Sequence, residues 1–258
     1  MTWTTRQRSD FAGLRAVVAG NGPVLLLLHG VGLRAEAWGA QIDALAGAFR
    51  VIAVDLPGHG ESGGVVDDLA RVAGELAASL DAPALVAGHS MGAMIALEVA
   101  SRHPGKLCGV AALNAIFERD PVASAAVQAR AAALDGVSAV DPALTLQRWF
   151  GEADSAERRA CEAWLRGVDP AAYRAAYSAF AQGDGPAPAA LQGLDCPALF
   201  MTGAEEPNST PAMSRAMAGL APKGRAVIVP GAAHMMPMTH ADAVTRALHA
   251  LATATGGT

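Results

Sequence analysis

Six short runs of unbroken apolar residues constrain this chain more than any other feature. They are Val24–Leu28, Val51–Val54, Ala84–Ala87, Val110–Leu113, Ala198–Met201 and Ala226–Val229. A strand with one wet face alternates apolar and polar residues, whereas a strand covered on both faces does not. Runs this short, each bounded by turn residues, point to a parallel sheet with helices on both sides. The stretches between them have helical punctuation: Glu36–Leu45 before Gly47, Asp67–Leu80 before Pro83, Met91–Arg102 before Pro104, and Ala212–Leu220 after Ser209-Thr210-Pro211. His240–Thr253 forms a last helix, and Thr2–Arg8 with Leu14–Val18 reads as an opening antiparallel pair. Strands alternating with helices require right-handed crossovers and hence a doubly wound α/β architecture.

One region breaks the alternation. Residues 115–188 carry no strand signal. Asp120-Pro121, Asp141-Pro142 and Asp169-Pro170 each resemble an N-cap followed by proline in the first turn, and Asp154–Glu157 opens like a capping box. Gly136, Gly151, Gly167 and Gly183 stand where such helices should stop. We therefore expect a core made of residues 1–114 and 189–258, interrupted by a cap of about four helices at 115–188.

Gly88-His89-Ser90-Met91-Gly92 follows an apolar run directly and opens a helical stretch. A serine on a strained strand-to-helix turn has its hydroxyl lifted out of the sheet, and glycines two before and two after let the strand and helix approach. The Met91 N–H then lies at a helix N-terminus, where an oxyanion is favoured. Gly60-Glu61-Ser62-Gly63-Gly64 has the same spacing without a strand feeding it. Of the histidines after Ser90, His234 alone follows a sheet run, Ala226–Val229, through a short loop, and is the candidate general base.

The chain resembles the α/β-hydrolase family along nearly its whole length. The matching residues are Leu28–Gly32, Asp55–Ser62, Gly88–Gly92, Gly203–Glu206 and Gly231–His234, in the family's order. The resemblance implies an α/β-hydrolase fold with an inserted helical lid. It also implies a second oxyanion donor, the Val31 N–H beside that of Met91, and a loop-shaping role for His29. The family commonly has aspartate three residues after the glycine that ends the strand before the acid; here that position is Glu206, one methylene longer, with Glu205 as rival. The neighbouring strand end offers Asn114, an amide rather than an acid.

These residues imply a serine hydrolase acting on a small ester or lactone through Ser90, His234 and Glu206, similar to 3-oxoadipate enol-lactonases and small carboxylesterases. A C–C hydrolase of a diketone is the alternative, and a non-catalytic receptor on the same fold comes third. Trp38, Met91, Met235 and Met236 are sheet-side pocket candidates; Phe117, Trp149, Phe150, Trp164, Tyr173 and Tyr177 are cap-side ones. Arg34 and Arg119 could hold a substrate carboxylate. No cofactor or metal is expected. Gly58–Gly63 has dinucleotide-loop spacing, but no helix opens directly after it.

The 258 residues carry a formal net charge of −5 and no basic tract, so nucleic acid and anionic membrane are poor partners; a small molecule is the expected one, with a homodimer left open. The N-terminus has no apolar signal core, and Val24–Leu28 is far too short to cross a bilayer. Cys108, Cys161 and Cys196 suggest neither a disulfide framework nor a zinc site, which makes the cytoplasm the default location.

Overall fold

The computed structural model describes residues 3–255. Among them, eight strands form one sheet in the order β1-β2-β4-β3-β5-β6-β7-β8. The strands are β1 (Ser9–Phe11), β2 (Leu14–Ala19), β3 (Val24–Leu28), β4 (Arg50–Val54), β5 (Ala84–His89), β6 (Leu107–Leu113), β7 (Ala198–Gly203) and β8 (Gly224–Val229). β1 with β2 and β2 with β4 are antiparallel, and every other pairing is parallel.

The register explains why the runs are unbroken. β3 lies between β4 and β5, and its successive side chains enter opposite layers. Leu26 and Leu28 pack with α2 (Leu69–Ala78), α3 (Met91–Arg102) and α9 (Pro211–Leu220), through residues such as Leu76, Ile95 and Met217. Leu25 and Leu27 pack on the other face with α1 (Gly39–Leu45), α10 (Met236–Thr239) and α11 (Ala241–Ala254), through Ile42, Met236, Val244 and Leu248. Both faces are dry, so alternation would bury polar groups without partners.

The expected first strand is corrected. Thr2 lies outside the described residues, and the pairing strand is Ser9–Phe11 rather than Thr2–Arg8. The segment before it bonds to side chains instead of a ladder. The Arg6 N–H donates to Glu36 Oε1 at 2.8 Å. The Arg8 guanidinium is fully buried; it grips both Glu36 oxygens at 2.7 Å and reaches Asp55 at 2.8 Å. Asp55 also accepts the Ala35 and Glu61 amides. Burial opposes ionisation of Glu36 and Asp55, but Arg8 and these amides outweigh it and hold both carboxyls below their usual range. Arg8→Ala would leave Asp55 buried without a cation and Glu36 with Arg34 as its one remaining cation. It should cost about 3–5 kcal/mol of unfolding free energy, readable as a lower urea midpoint. A midpoint unchanged from wild type would contradict this account of the N-terminal segment.

Between β6 and β7 lie α4 (Pro121–Ala132), α5 (Ala143–Phe150), α6 (Ala156–Gly167) and α7 (Pro170–Ala181). Asp120, Ser155 and Asp169 cap α4, α6 and α7 by accepting amides three residues on. α5 differs from expectation. Pro142 itself occupies the cap position, and the Asp141 carboxylate accepts the Ala143 amide at 3.1 Å. A further helix, α8 (Pro188–Gln192), packs against α9, so the chain has rejoined the core by that point.

Candidate active site

Ser90 sits between β5 and α3 with φ 56° and ψ −119°, a conformation that costs an L-residue strain. The bend holds because its surroundings leave no alternative. The Ser90 amide donates to the Leu113 carbonyl at 2.8 Å, tying the turn to β6. A Cβ on Gly88 would run into the Gly92 backbone, and one on Gly92 into the Leu28 carbonyl. Glycine at both positions is therefore a packing requirement, and the strain is imposed by the sheet. Met91 opens α3, so its N–H has no partner within the helix.

The loop after β3 runs past this bend. His29 fixes it: the Leu56 amide donates to His29 Nε2 at 2.9 Å, and Nδ1 donates to the Gly30 carbonyl at 2.7 Å. Both ring nitrogens are thus engaged. Burial and the neighbouring His59 push the His29 ring down to about 3, so it remains neutral and serves the loop. The Ser62 of the rival motif is likewise occupied, donating to the Asp55 carbonyl at 2.6 Å and accepting the Arg15 amide.

His234 follows β8 through Pro230-Gly231. Its Nδ1 donates to Glu206 Oε2 at 2.8 Å, which turns Nε2 into the free acceptor. Glu205 is exposed and Glu206 buried, so Glu206 is the acid that meets the ring. The extra methylene is absorbed by folding the carboxylate back onto its own loop: Oε1 accepts the Asn208 amide at 2.8 Å and the Ser209 amide at 3.3 Å. Asn114 Nδ2 donates to Oε2 at 3.3 Å. Burial disfavours the charged carboxylate, yet the charge and hydrogen bond of His234, with the two amides, hold it down at about 2. His89 Nε2 donates to the His234 carbonyl at 2.8 Å and anchors the loop from below.

Ser90 and His234 border one cavity of about 220 Å³, together with Val31, Asn114, Trp149, Tyr173 and Tyr177. Among the described residues no hydrogen bond joins the Ser90 hydroxyl to the imidazole; such contacts commonly tighten only around substrate. Trp149 stacks on the His234 ring, with centroids 5.2 Å apart and planes 19° apart.

Other expected pocket residues lie elsewhere. Trp38 is buried under the sheet with Ile42 and Leu45, because the 3-10 turn Ala35–Trp38 folds it inward. Phe117 packs into the opposite layer with Ala176 and Leu191. The Met91 side chain joins that same layer, and Met236 joins the Trp38 layer. Met235 is sealed between core and cap with Leu33 and Leu146, and Phe150 packs against that cluster. Trp164 and Arg34 border a separate crevice, and Arg34 is committed to Glu36 at 2.8 Å.

Arg119 does border the cavity, but Asp184 lies 3.3 Å away and the Phe180 ring beneath it. Of the arginines that line this cavity, the two without a carboxylate partner among the described residues were not singled out by the sequence. Arg130 of α4 donates to the Tyr177 hydroxyl at 2.9 Å, and Arg148 of α5 donates to Thr145 Oγ1 at 3.2 Å. Burial and the charge of Arg130 press the Arg148 guanidinium below its ordinary value. They converge from two helices, so no spacing along the chain announces them.

Residues 25–247 match a family model described as the alpha/beta hydrolase family. The chain is 38% identical over 240 residues, 90% of each protein, to the (E)-2-((N-methylformamido)methylene)succinate hydrolase of Acinetobacter baylyi. Among solved structures it is similar to a thermophilic esterase from Thermogutta terrifontis, malate bound (TM-score 0.85, 25% identity, 98% of this chain and 100% of that one). It is also similar to the enol-lactonase from Burkholderia xenovorans (TM-score 0.79, 26% identity, 96% and 100%). With the sheet order, the strained serine bend and a family match over most of its length, the chain belongs to the alpha/beta hydrolase family.

Proposed function

We propose that the protein hydrolyses a small acyl compound bearing a carboxylate, an ester or lactone, through attack by Ser90. The observation that carries this reading is the convergence of Ser90 and the His234–Glu206 pair on one small cavity. In the reaction the Ser90 oxygen bonds to the carbonyl carbon while its proton passes to His234 Nε2. The carbonyl oxygen becomes an anion held by the Val31 and Met91 amides. Collapse breaks the acyl–oxygen bond, and the departing alkoxide takes the proton from His234. Water then attacks the acyl-serine, His234 again takes and returns the proton, and the acid leaves. Glu206 keeps the proton of Nδ1 in place throughout and steadies the imidazolium.

Arg130 and Arg148 favour an acidic substrate. Both line the cavity with no carboxylate of the protein paired to them, which leaves their guanidinium groups available to a ligand carboxylate. The Acinetobacter relative is named for a succinate carrying an N-methylformamido group, which makes a formamide C–N bond the second acyl link to try.

The test compares monoethyl succinate with neutral ethyl butanoate by proton release. Arg148→Ala should lower the preference for the acidic ester, as a ratio of kcat/KM, by about 10–100-fold, the value of one hydrogen bond to a charged group. An unchanged ratio would remove Arg148 from recognition. Failure to turn over any ester, lactone, formamide or diketone would remove the hydrolase reading itself.

Among the described residues no helix is long and apolar enough to cross a membrane. Cys108, Cys161 and Cys196 are free thiols, which suits a reducing compartment, and the cytoplasm is the location we propose.

A further inference from the structure

The geometry points to Trp149 as a positioning residue: its indole, carried by the cap, stacks on the His234 imidazole and favours the protonated ring. This rests on the reading of His234 as the base for Ser90, and it gives the cap a part in proton transfer beyond enclosing the substrate.

Three observations converge on it. The first is the stack itself, within the distance at which an aromatic face attracts a cation. In the neutral ring the contact is ordinary packing. Once Nε2 takes the serine proton, the ring carries a full charge, and the π face of the indole meets it.

The second is the charge around the imidazole. Glu206 faces Nδ1 from the loop after β7. His89, from β5, lies 4.8 Å away between ring centroids, and burial, together with the charge of His234, pushes it down to about 3, so it adds no positive charge. From the cap, Arg130 of α4 and Arg148 of α5 border the same cavity, as do Arg119, Asp120 and the phenols of Tyr173 and Tyr177. Asp184 offsets Arg119 and Asp120 adds a second negative charge, so Arg130 and Arg148 leave the cap side of the cavity with one positive charge in excess opposing the imidazolium. Glu206 answers them from one edge, and Trp149 covers a face of the ring.

The third is how the indole is held. Trp149 packs against the buried cluster of Leu33, Leu146, Tyr173 and Met235, and Met235 directly follows His234. The cap is thus seated on the core through the neighbours of the base. A shift of α5 would move the indole off the imidazole and loosen the loop that carries it.

Trp149→Leu keeps bulk without a π face, and Trp149→Phe keeps a smaller face. Two readouts apply: the pH dependence of kcat/KM on ethyl butanoate, which is neutral, and the NMR titration of the His234 ring in the folded protein. For Trp149→Leu we expect the acidic limb and the NMR midpoint to move together to lower pH by about 0.5–1 unit. Trp149→Phe should recover most of that shift. A rise in KM with both midpoints unmoved overturns the proposal and makes Trp149 a substrate contact. A lower melting temperature with both unmoved overturns it and makes Trp149 a packing residue. The NMR titration needs no turnover, so a stack that proves real in a protein whose Ser90→Ala variant stays active would sink the base reading alone.

Discussion

Ser90→Ala lowers kcat by about a million-fold, the loss expected when a serine nucleophile is removed and its supporting groups can do little alone. The variant keeps its fold. The Ser90 side chain supports no hydrogen bond that holds the bend; the strand, the helix and the amide bonded to Leu113 do that. Alanine carries the same Cβ in the same strained conformation, so the melting temperature should stay within experimental error of wild type. Activity loss without stability loss is the signature of a nucleophile. Retention of even a tenth of the wild-type rate would place the chemistry elsewhere in the cavity.

Glu206→Gln should cost about four orders of magnitude in kcat, less than loss of the nucleophile, with little change in KM. The two carboxylate oxygens accept from four donors: the Asn208 and Ser209 amides, Asn114 Nδ2 and His234 Nδ1. A carboxylate satisfies all four, whereas glutamine brings an NH2 group that must face one pair. Turned toward His234, it forces the ring proton onto Nε2, the atom that has to accept from serine. Turned toward Asn208 and Ser209, it opposes two N–H groups in a buried site. Either way the tautomer or the loop is lost. Single-turnover kinetics would separate this from a binding defect: acylation should slow while substrate affinity holds. Loss of affinity with normal acylation would contradict it.

Much of this was legible in the sequence, and for local reasons. The strands could be read because burial on both faces writes an unbroken apolar run. The bend at Ser90 could be read because a strained turn squeezed between β5, α3 and β3 demands glycine at 88 and 92. Glu206 stood at the expected offset even though glutamate replaced aspartate, and its folding back onto Asn208 and Ser209 explains how the longer side chain fits. The pocket walls were not legible. Trp38 and Met235 have the composition of pocket residues but are spent on packing, and only the path of the chain decides that. Arg130 and Arg148 have the look of solvated helix arginines until α4 and α5 turn them into one cavity. The first strand failed for a related reason: long-range bonds from Arg8 to Glu36 and Asp55 outcompete the ladder that local propensity favours.

The most direct measurement is intact-protein mass spectrometry, with peptide mapping, after exposure to a fluorophosphonate. A hydroxyl activated by an adjacent imidazole should take up one phosphonyl group, located on Ser90, and Ser90→Ala should take up none. An active protein that is not labelled, or that is labelled on another side chain such as Ser62, would contradict the account.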